Sequence, residues 1–308
     1  MLRFTIIFLA LFVALPSHVA MGAQTQFSVE KGKKEWSFKV SWRDGNNKKH
    51  KVNYALPKKR IRKDLDTPIQ YPKQDAAVAV VKKINHTFRG RKGPRVKATA
   101  YKSGAVGIRV SGGQSAQRKK FYEEAKQVRD KAHRTFLKRH GYILKKDRII
   151  IPDFTEHVIH YSKDLHPLVE ALGGPTKNPR KFANKALSFV QSIPYEKRAL
   201  VANIYRRPLS ILARNKGDCD SKTVLFLAIM HAAYPEMPLT LVRIPGHIYG
   251  GLGIEPKQGD VRLRRKGHTW VGVEPVGPAI RNVGGLGSKS KWRAWFNLYE
   301  LYTVDETL

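Results

Sequence analysis

The sequence predicts an α+β protein in which a buried helix, beginning at the only cysteine, packs on an antiparallel sheet behind a small basic α+β region. Three observations predict this class. Residues 224–233 are apolar on nearly every side, which is typical of a helix in a protein interior. Residues 239–244, 247–254 and 268–276 follow as apolar runs that favour strands. The first 150 residues alternate hairpin patterns with amphipathic helices.

The first 22 residues have the layout of a secretory signal peptide, which is removed from the mature protein. Arg3 gives a positive start, residues 5–15 are nearly all apolar, and small residues at 20–23 suit cleavage after Gly22 or Ala23. The apolar run is shorter than the roughly 20 residues that a membrane-crossing helix needs. We therefore expect an exported soluble protein, periplasmic or secreted, without a lipid anchor.

The region 23–150 is expected to form a small basic α+β unit, because hairpin and helix patterns succeed one another in it. Alternating apolar residues at 36–42 and 52–56 flank the turn at 44–47 and predict a first hairpin, and residues 96–110 predict a second. Apolar spacing at 77–88 and at 115–140 predicts two helices. Residues 151–177 form a transition segment, and residues 178–308 form the second domain with an aromatic C-terminal extension.

The net charge of +34 is extreme, and much of it lies near the N-terminus. Thirteen Lys or Arg residues fall between Lys31 and Lys63, against only Glu35 and Asp44. Such a surface attracts polyanions, which indicates an anionic membrane surface or cell-wall polymer as a partner. No nucleic-acid-binding motif accompanies the charge, which argues against nucleic acid. The alternative is a solvated face that only keeps the protein soluble.

Cys219 stands where a loop ends and the apolar helix begins. The positive end of a helix lowers the pKa of a thiol and favours the nucleophilic thiolate. A thiolate also needs a base and a group that orients the base, and two of the following strands supply His247 and Glu274. The alternative is a structural thiol in the core, since free cysteine is often buried. The ordered trio favours a catalytic nucleophile.

The order GDCDSKT, apolar helix, strand, PGHIYGGLGI, strand, WVGVEPVG resembles the transglutaminase-like superfamily, especially its bacterial cysteine-peptidase-like members. The resemblance covers residues 178–277. It implies a papain-like fold with Cys219 as nucleophile, His247 as base and Glu274 as orienting acid. The superfamily includes peptidases, enzymes that cross-link through amide bonds, and inactive binding modules.

Several other polar residues compete for roles in the site. His268, in GHTWVGVEP, resembles a His-x-Trp variant of the family and competes with His247 for the role of base. Asp218 and Asp220 are expected to cap the helix. The backbone N–H of Cys219 is the expected first oxyanion donor, and Gln191 is a guess for the second.

Two further groups are expected to have no chemical role. His157, His160 and His166 are interpreted as surface or cleft-rim histidines rather than metal ligands, and no cofactor is expected. The aromatic cluster near the C-terminus is expected to pack on the sheet; it comprises Trp292, Trp295, Tyr299 and Tyr302.

The sequence therefore predicts an exported cysteine-dependent hydrolase that acts on amide or peptide bonds of a protein or peptide substrate. Hydrolysis is favoured over cross-linking because no feature that would select an amine acceptor is visible. The alternatives are an amide cross-linking transglutaminase and a catalytically silent polyanion-binding or scaffold module with the same fold.

Overall fold

A computed structural model describes residues 24–67, 71–145, 149–196 and 205–304, and the predicted signal peptide lies outside these ranges. The described chain is a mixed α+β structure in which helices pack against antiparallel sheets. None of its helices combines the length and the apolar character needed to cross a membrane. The strands are β1 Gln24–Lys31, β2 Glu35–Arg43, β3 Lys49–Pro57, β4 Arg95–Ala100, β5 Val106–Ser111, β6 Tyr142–Leu144, β7 Ile150–Pro152, β8 Leu239–Ile244, β9 His247–Leu252, β10 Arg262–Arg265, β11 His268–Val273 and β12 Glu300–Thr303. The helices are α1 Lys58–Asp66, α2 Lys73–Thr87, α3 Ser115–Arg139, α4 Phe154–Ser162, α5 His166–Ala171, α6 Pro179–Ser192, α7 Pro208–Arg214, α8 Cys219–Ala233 and α9 Ser288–Trp295.

The larger sheet has five antiparallel strands in the order β10-β11-β9-β8-β12. Its central hairpin joins β8 to β9 through Pro245 and Gly246, so that Ile244 pairs with His247. Proline fixes the first turn position, and Gly246 takes a positive φ of 74° that the second position requires. This short turn fixes His247 at the first residue of β9. The three strands predicted after the core helix are confirmed, while β10 and β12 were not predicted.

A three-stranded sheet, β1-β2-β3, here called the smaller sheet, is antiparallel, and the apolar side chains on one face of β2 and β3 are buried. On β2 the buried residues alternate with exposed ones, as the sequence predicts for the first hairpin. Its apolar face comprises Trp36, Phe38, Val40 and Trp42. The strand β1 was not predicted, because QTQFSVEK carries only two large apolar residues and pairs along the edge of β2.

The helix α8 lies at the centre of the molecule. Every residue of α8 except Asp220 and His231 is buried. Strands β8 and β9 cover one side of it, and α4, α5, α6 and α7 cover the others. A helix surrounded in this way must be apolar around its whole circumference, which explains why its sequence shows no polar stripe.

The smaller sheet belongs to the same hydrophobic core as α8. The Nε1–H of Trp42 donates to Ser188 Oγ on α6 at 3.0 Å, and the Trp42 ring meets Phe189 edge to face. A separate small core lies between α2, α3 and the β4–β5 hairpin, around Ile84 and Phe121. The packing therefore divides the chain differently from the predicted boundary at residue 150, because long-range burial joins β1–β3 to the second half of the chain.

The end of α6 is attached to α8 through a buried lysine. Lys222 is fully buried, and its Nζ donates to the backbone oxygen of Ile193 at 2.6 Å and to that of Gln191 at 3.3 Å. Burial lowers the pKa of Lys222 to about 7. The last carbonyls of a helix have no partner within the helix, so Lys222 satisfies two of the carbonyls at this end and fixes α6 against the start of α8.

We expect Trp42→Ala to destabilise the part of the protein that holds Cys219, although the two residues are far apart in the sequence. Truncation of a buried tryptophan lowers the free energy of unfolding by about 3–5 kcal/mol. Labelling of Cys219 by a thiol reagent along a urea gradient measures the effect, and the midpoint should move to lower urea. Phe121→Ala, in the separate core, is the matched control and should leave this midpoint in place. An unchanged midpoint in Trp42→Ala would show that the smaller sheet unfolds independently.

Candidate active site

The loop before α8 presents Cys219 at the first position of the helix. Asp218 is the N-cap residue, and its Oδ1 accepts from the backbone N–H of Ser221 at 3.0 Å and from the Ser221 hydroxyl at 2.6 Å. This is the capping role expected for Asp218, since an N-cap carboxylate satisfies N–H groups that lack partners within the helix. A Cβ at Gly217 would lie 3.3 Å from Lys222 Cγ, so a side chain there has little room. The helix start is therefore tightly fixed.

The thiol of Cys219 is buried and protonated in this arrangement. The side chain is only 3% exposed, and its Sγ–H donates to Asp220 Oδ1 at 3.1 Å. Burial raises the pKa of Cys219 to about 12, and the charges of Asp220 and Asp218 add to this effect, while the backbone N–H of Ile248 lowers it. The expectation that the helix terminus yields a thiolate is therefore wrong for this structure, because desolvation and two carboxylates outweigh the helix dipole.

The same helix holds the strand that carries His247. The hydroxyl of Thr223, one turn beyond Cys219, donates to the backbone oxygen of Ile248 at 3.2 Å. Because the N–H of Ile248 interacts with Cys219, both backbone groups of this residue are attached to the first two turns of α8. His247 directly precedes Ile248, so its backbone is next to the residue whose N–H contacts the Cys219 thiol.

His247 and Glu274 form a hydrogen-bonded pair. His247 Nε2 lies 2.8 Å from Glu274 Oε1, in a geometry in which the ring N–H donates to the carboxylate. In that tautomer Nδ1 is the ring nitrogen that can accept a proton. The Glu274 side chain is 6% exposed and the His247 side chain 19% exposed, so solvent reaches the imidazole more readily than the carboxylate. The structure thus brings all three predicted site residues to one end of α8.

Two residues hold Glu274 in place, and neither was predicted to do so. The hydroxyl of Ser290 on α9 donates to Glu274 Oε2 at 3.0 Å. The side-chain amide of Gln191 donates to the backbone oxygen of Glu274 at 2.7 Å. Each oxygen of the carboxylate therefore has a partner. No sequence signal identifies Ser290, because a single serine in a basic helix is common on protein surfaces.

Gln191 does not supply an oxyanion donor in this structure. Its amide nitrogen donates to the backbone oxygens of Glu274 and Arg281, the second at 3.1 Å, so both of its N–H groups are used. Its Oε1 accepts from the N–H of Arg281 at 3.3 Å. The guess that Gln191 binds an oxyanion is wrong for this reason. Gln191 instead joins α6 to the segment that follows β11.

The structure separates His268 from the other candidates. His268 begins β11 and is exposed, whereas Glu274 follows the last residue of the same strand. Six residues of strand place the two about 20 Å apart. Since β11 runs antiparallel to β9, Glu274 and not His268 lies at the end of the sheet where His247 begins its strand.

Of the three histidines interpreted as surface residues, His157 is in the core. Its Nδ1 lies 2.9 Å from the hydroxyl of Tyr205, and burial lowers the pKa of His157 to about 3. That interpretation is therefore wrong for His157, while His160 and His166 are exposed. Within the described ranges, no three His, Cys, Asp or Glu residues are grouped as metal ligands would be.

A cleft of 520 Å³ opens beside His247 and Asp220. One wall is the β6–β7 hairpin and the start of α4, and the other is formed by β8 and the beginning of β9. Aromatic and aliphatic side chains dominate the cleft; they include Tyr71, Tyr142, Ile143, Ile151, Phe154, Tyr205, Leu241 and Tyr302. Lys73 and Arg243 add positive charge to its lining. The cleft has the size and apolar character of a small-ligand or side-chain pocket.

We expect Asp220→Asn to increase the reactivity of Cys219. The substitution removes a negative charge and a carboxylate acceptor that both raise the thiol pKa, so the thiolate fraction at a given pH increases. Each unit by which the pKa falls should raise the iodoacetamide labelling rate about tenfold at pH 8. In the wild-type protein the rate should still be rising with pH above pH 9, because the thiol titrates near 12.

The matched control is Glu236→Gln, which removes an exposed carboxylate beyond the other end of α8 and should leave the rate unchanged. A labelling rate in Asp220→Asn equal to that of the wild type would show that Asp220 does not restrain the thiol.

Comparison of the chain with protein-family models, with curated proteins and with solved structures finds no match.

Proposed function

We propose that this protein is a cysteine-dependent hydrolase of amide or peptide bonds, with Cys219 as nucleophile, His247 as base and Glu274 as the acid that orients the base. One observation carries the proposal. The His247 ring contacts Glu274 at 2.8 Å. The next residue on the strand, Ile248, contacts the Cys219 thiol through its backbone N–H. A nucleophile, a base and an oriented acid in one place form the pattern of nucleophilic catalysis.

The proposed reaction begins with a neutral thiol rather than a preformed thiolate. As the sulfur attacks the carbonyl carbon of the substrate, its proton passes to Nδ1 of His247, and Glu274 stabilises the imidazolium that forms. The imidazolium then protonates the leaving amine when the C–N bond breaks, which leaves a thioester on Cys219. Water, deprotonated by His247, releases the acid and regenerates the thiol. The backbone N–H of Cys219 is the proposed oxyanion donor.

Asp220 must release the thiol before this reaction can start. In the resting arrangement the thiol hydrogen is directed to the Asp220 carboxylate, which also lines the cleft. A substrate that occupies the cleft beside Asp220 would displace this contact and leave His247 as the acceptor. The raised pKa of the free thiol then protects a buried cysteine from oxidants, since the thiolate is the form that reacts.

The same raised pKa favours a second candidate, a catalytically silent module that keeps the fold. A protonated thiol that is only 3% exposed is also what a structural cysteine would show. The His247–Glu274 pair supports the enzyme over the silent module, because a binding module gains nothing from a carboxylate that one serine hydroxyl fixes against a histidine.

The proposal extends to the fold of the core. A helix that begins with the cysteine and packs on an antiparallel sheet bearing the histidine and the acid on neighbouring strands supports a papain-like, transglutaminase-like core. Export is proposed from the first 22 residues, and N-terminal sequencing of the mature protein tests it.

We expect Cys219→Ala and His247→Ala each to lower the rate of hydrolysis of a responsive peptide by about 10³-fold or more, and Glu274→Gln by about 10–100-fold. A library of internally quenched peptides identifies such a substrate, and mass spectrometry of the products checks that one water is added for each bond cleaved. His268→Ala is the matched control, since its exposed ring lies at the other end of β11, and it should retain full activity.

Cross-linking would appear instead as incorporation of an added primary amine into the product. If no peptide, ester or amine probe is turned over, and Cys219 shows no acyl adduct, the silent module is the correct description. If His268→Ala abolishes turnover while His247→Ala does not, the assignment of the base is wrong.

A further inference from the structure

The helix α9 and the turn that follows it display a cluster of large apolar side chains in solvent. Trp292 is 51% exposed, Trp295 64%, Phe296 61% and Leu298 46%. Trp292 and Phe296 contact each other, with ring centroids 5.1 Å apart. The expectation that these tryptophans pack on the sheet is therefore wrong. Single exposed apolar residues are ordinary, but four large ones within seven residues, two of them in contact, indicate a binding surface.

The inward face of α9 explains why the tryptophans face outward. Ser290 and Ala294, one turn apart, are buried against the sheet, and Ser290 is held by Glu274. Lys291, Trp292 and Trp295 lie off this line on the helix and are exposed. The inward contacts use only small side chains, so none of the large rings is needed for the core.

The end of α9 holds the apolar cluster in a fixed shape. The N–H of Leu298 donates to the oxygen of Arg293 at 2.9 Å, and that of Asn297 donates to the oxygen of Ala294 at 3.2 Å. Asn297 has a positive φ of 53°. This pattern is a Schellman motif, which fixes the direction of the chain after a helix. The exposed rings are thus presented on a rigid turn.

Basic side chains surround the cluster. Lys291 Nζ lies 4.9 Å from the centre of the Trp295 ring, and the Arg293 guanidinium carbon lies 5.9 Å from that of Trp292. The segment 275–299 contains no Asp or Glu. Tryptophan prefers the boundary between lipid acyl chains and headgroups, and nearby Lys and Arg attract anionic headgroups.

We propose that this surface, Trp292, Trp295, Phe296 and Leu298 with Lys291 and Arg293, docks the protein on an anionic lipid bilayer. The docking would also place the cleft at the membrane surface. Lys289, on the same helix, donates to the backbone oxygen of Pro245 at 3.1 Å, and the turn after Pro245 forms one rim of the cleft. This places membrane contact on α9, apart from the basic stretch between Lys31 and Lys63 that the sequence favours for polyanions. The docking proposal stands whether or not Cys219 is catalytic.

The test uses vesicles of phosphatidylcholine with about one quarter phosphatidylglycerol, whose acyl chains carry bromine at a known depth and quench tryptophan emission. Trp36, Trp42 and Trp270 are buried, so the exposed pair should account for the quenching. We expect strong quenching in the full-length protein that persists at about 0.5 M salt, where surface attraction alone is screened. Trp292→Phe/Trp295→Phe should show little quenching.

A second pair of variants measures the contribution of the neighbouring apolar residues. Phe296→Ser/Leu298→Ser keeps both tryptophans and should raise the lipid concentration for half-maximal quenching about tenfold or more, because less apolar surface enters the bilayer. The matched control is Tyr101→Ser/Tyr122→Ser, which removes exposed aromatic side chains from the separate part of the chain formed by α2, α3 and the β4–β5 hairpin. Its lipid concentration for half-maximal quenching should stay within about twofold of the wild type. All these variants retain residues 1–22, so the predicted signal peptide does not cause the differences between them.

Three outcomes would overturn the proposal. Membrane-bound protein whose tryptophan emission is not quenched would show that α9 stays outside the bilayer. Quenching that disappears at high salt would show that charge alone holds the protein on the bilayer. A dimer in sedimentation without lipid that Phe296→Ser/Leu298→Ser converts to monomer would identify a second copy of the chain as the occupant of the surface.

Discussion

The burial of α8 on every side is the constraint on which the rest of the structure depends. A helix with thirteen buried residues out of fifteen needs a layer of protein in every direction. The five-stranded sheet supplies one layer and the surrounding helices supply the others, with the β1–β3 sheet packed behind them in the same core. The position of Cys219 follows from this constraint, because the first turn of such a helix cannot shift without moving its whole surroundings. Asp218 and Lys222 secure the same turn from two directions.

The same rigidity determines the electrostatics of the site. Because Cys219 lies in the packed interior, desolvation dominates its pKa, and the nearby carboxylates act in the same direction. The positive end of the helix is too weak to offset both effects, since a helix dipole contributes about 0.3–1 kcal/mol in ordinary geometries. The proposed chemistry therefore depends on proton transfer to His247 during attack. Glu274, held in place by Ser290 and Gln191, holds the His247 ring in one orientation.

The two surfaces of α9 connect the candidate site to the exterior. Its small inward residues reach Glu274 and the core, while its aromatic outward residues enter solvent. A membrane or other partner that binds the outward face would therefore contact a helix that also orients the acid of the proposed triad. The basic residues between Lys31 and Lys63 form a second concentration of positive charge, apart from α9 in the sequence.

The sequence by itself determined the local elements and the order of the site residues. Periodicity predicted the β2–β3 and β4–β5 hairpins, the helices α2 and α3 and the strands β8, β9 and β11, because these depend on neighbours in the chain. Only the tertiary structure decided the rest. The sharing of one core between β1–β3 and α8, the thiol pKa, the role of Gln191, the burial of His157 and the exposure of Trp295 each depend on residues far apart in sequence. Burial and charge act through space, and a pattern read along the chain does not contain those distances.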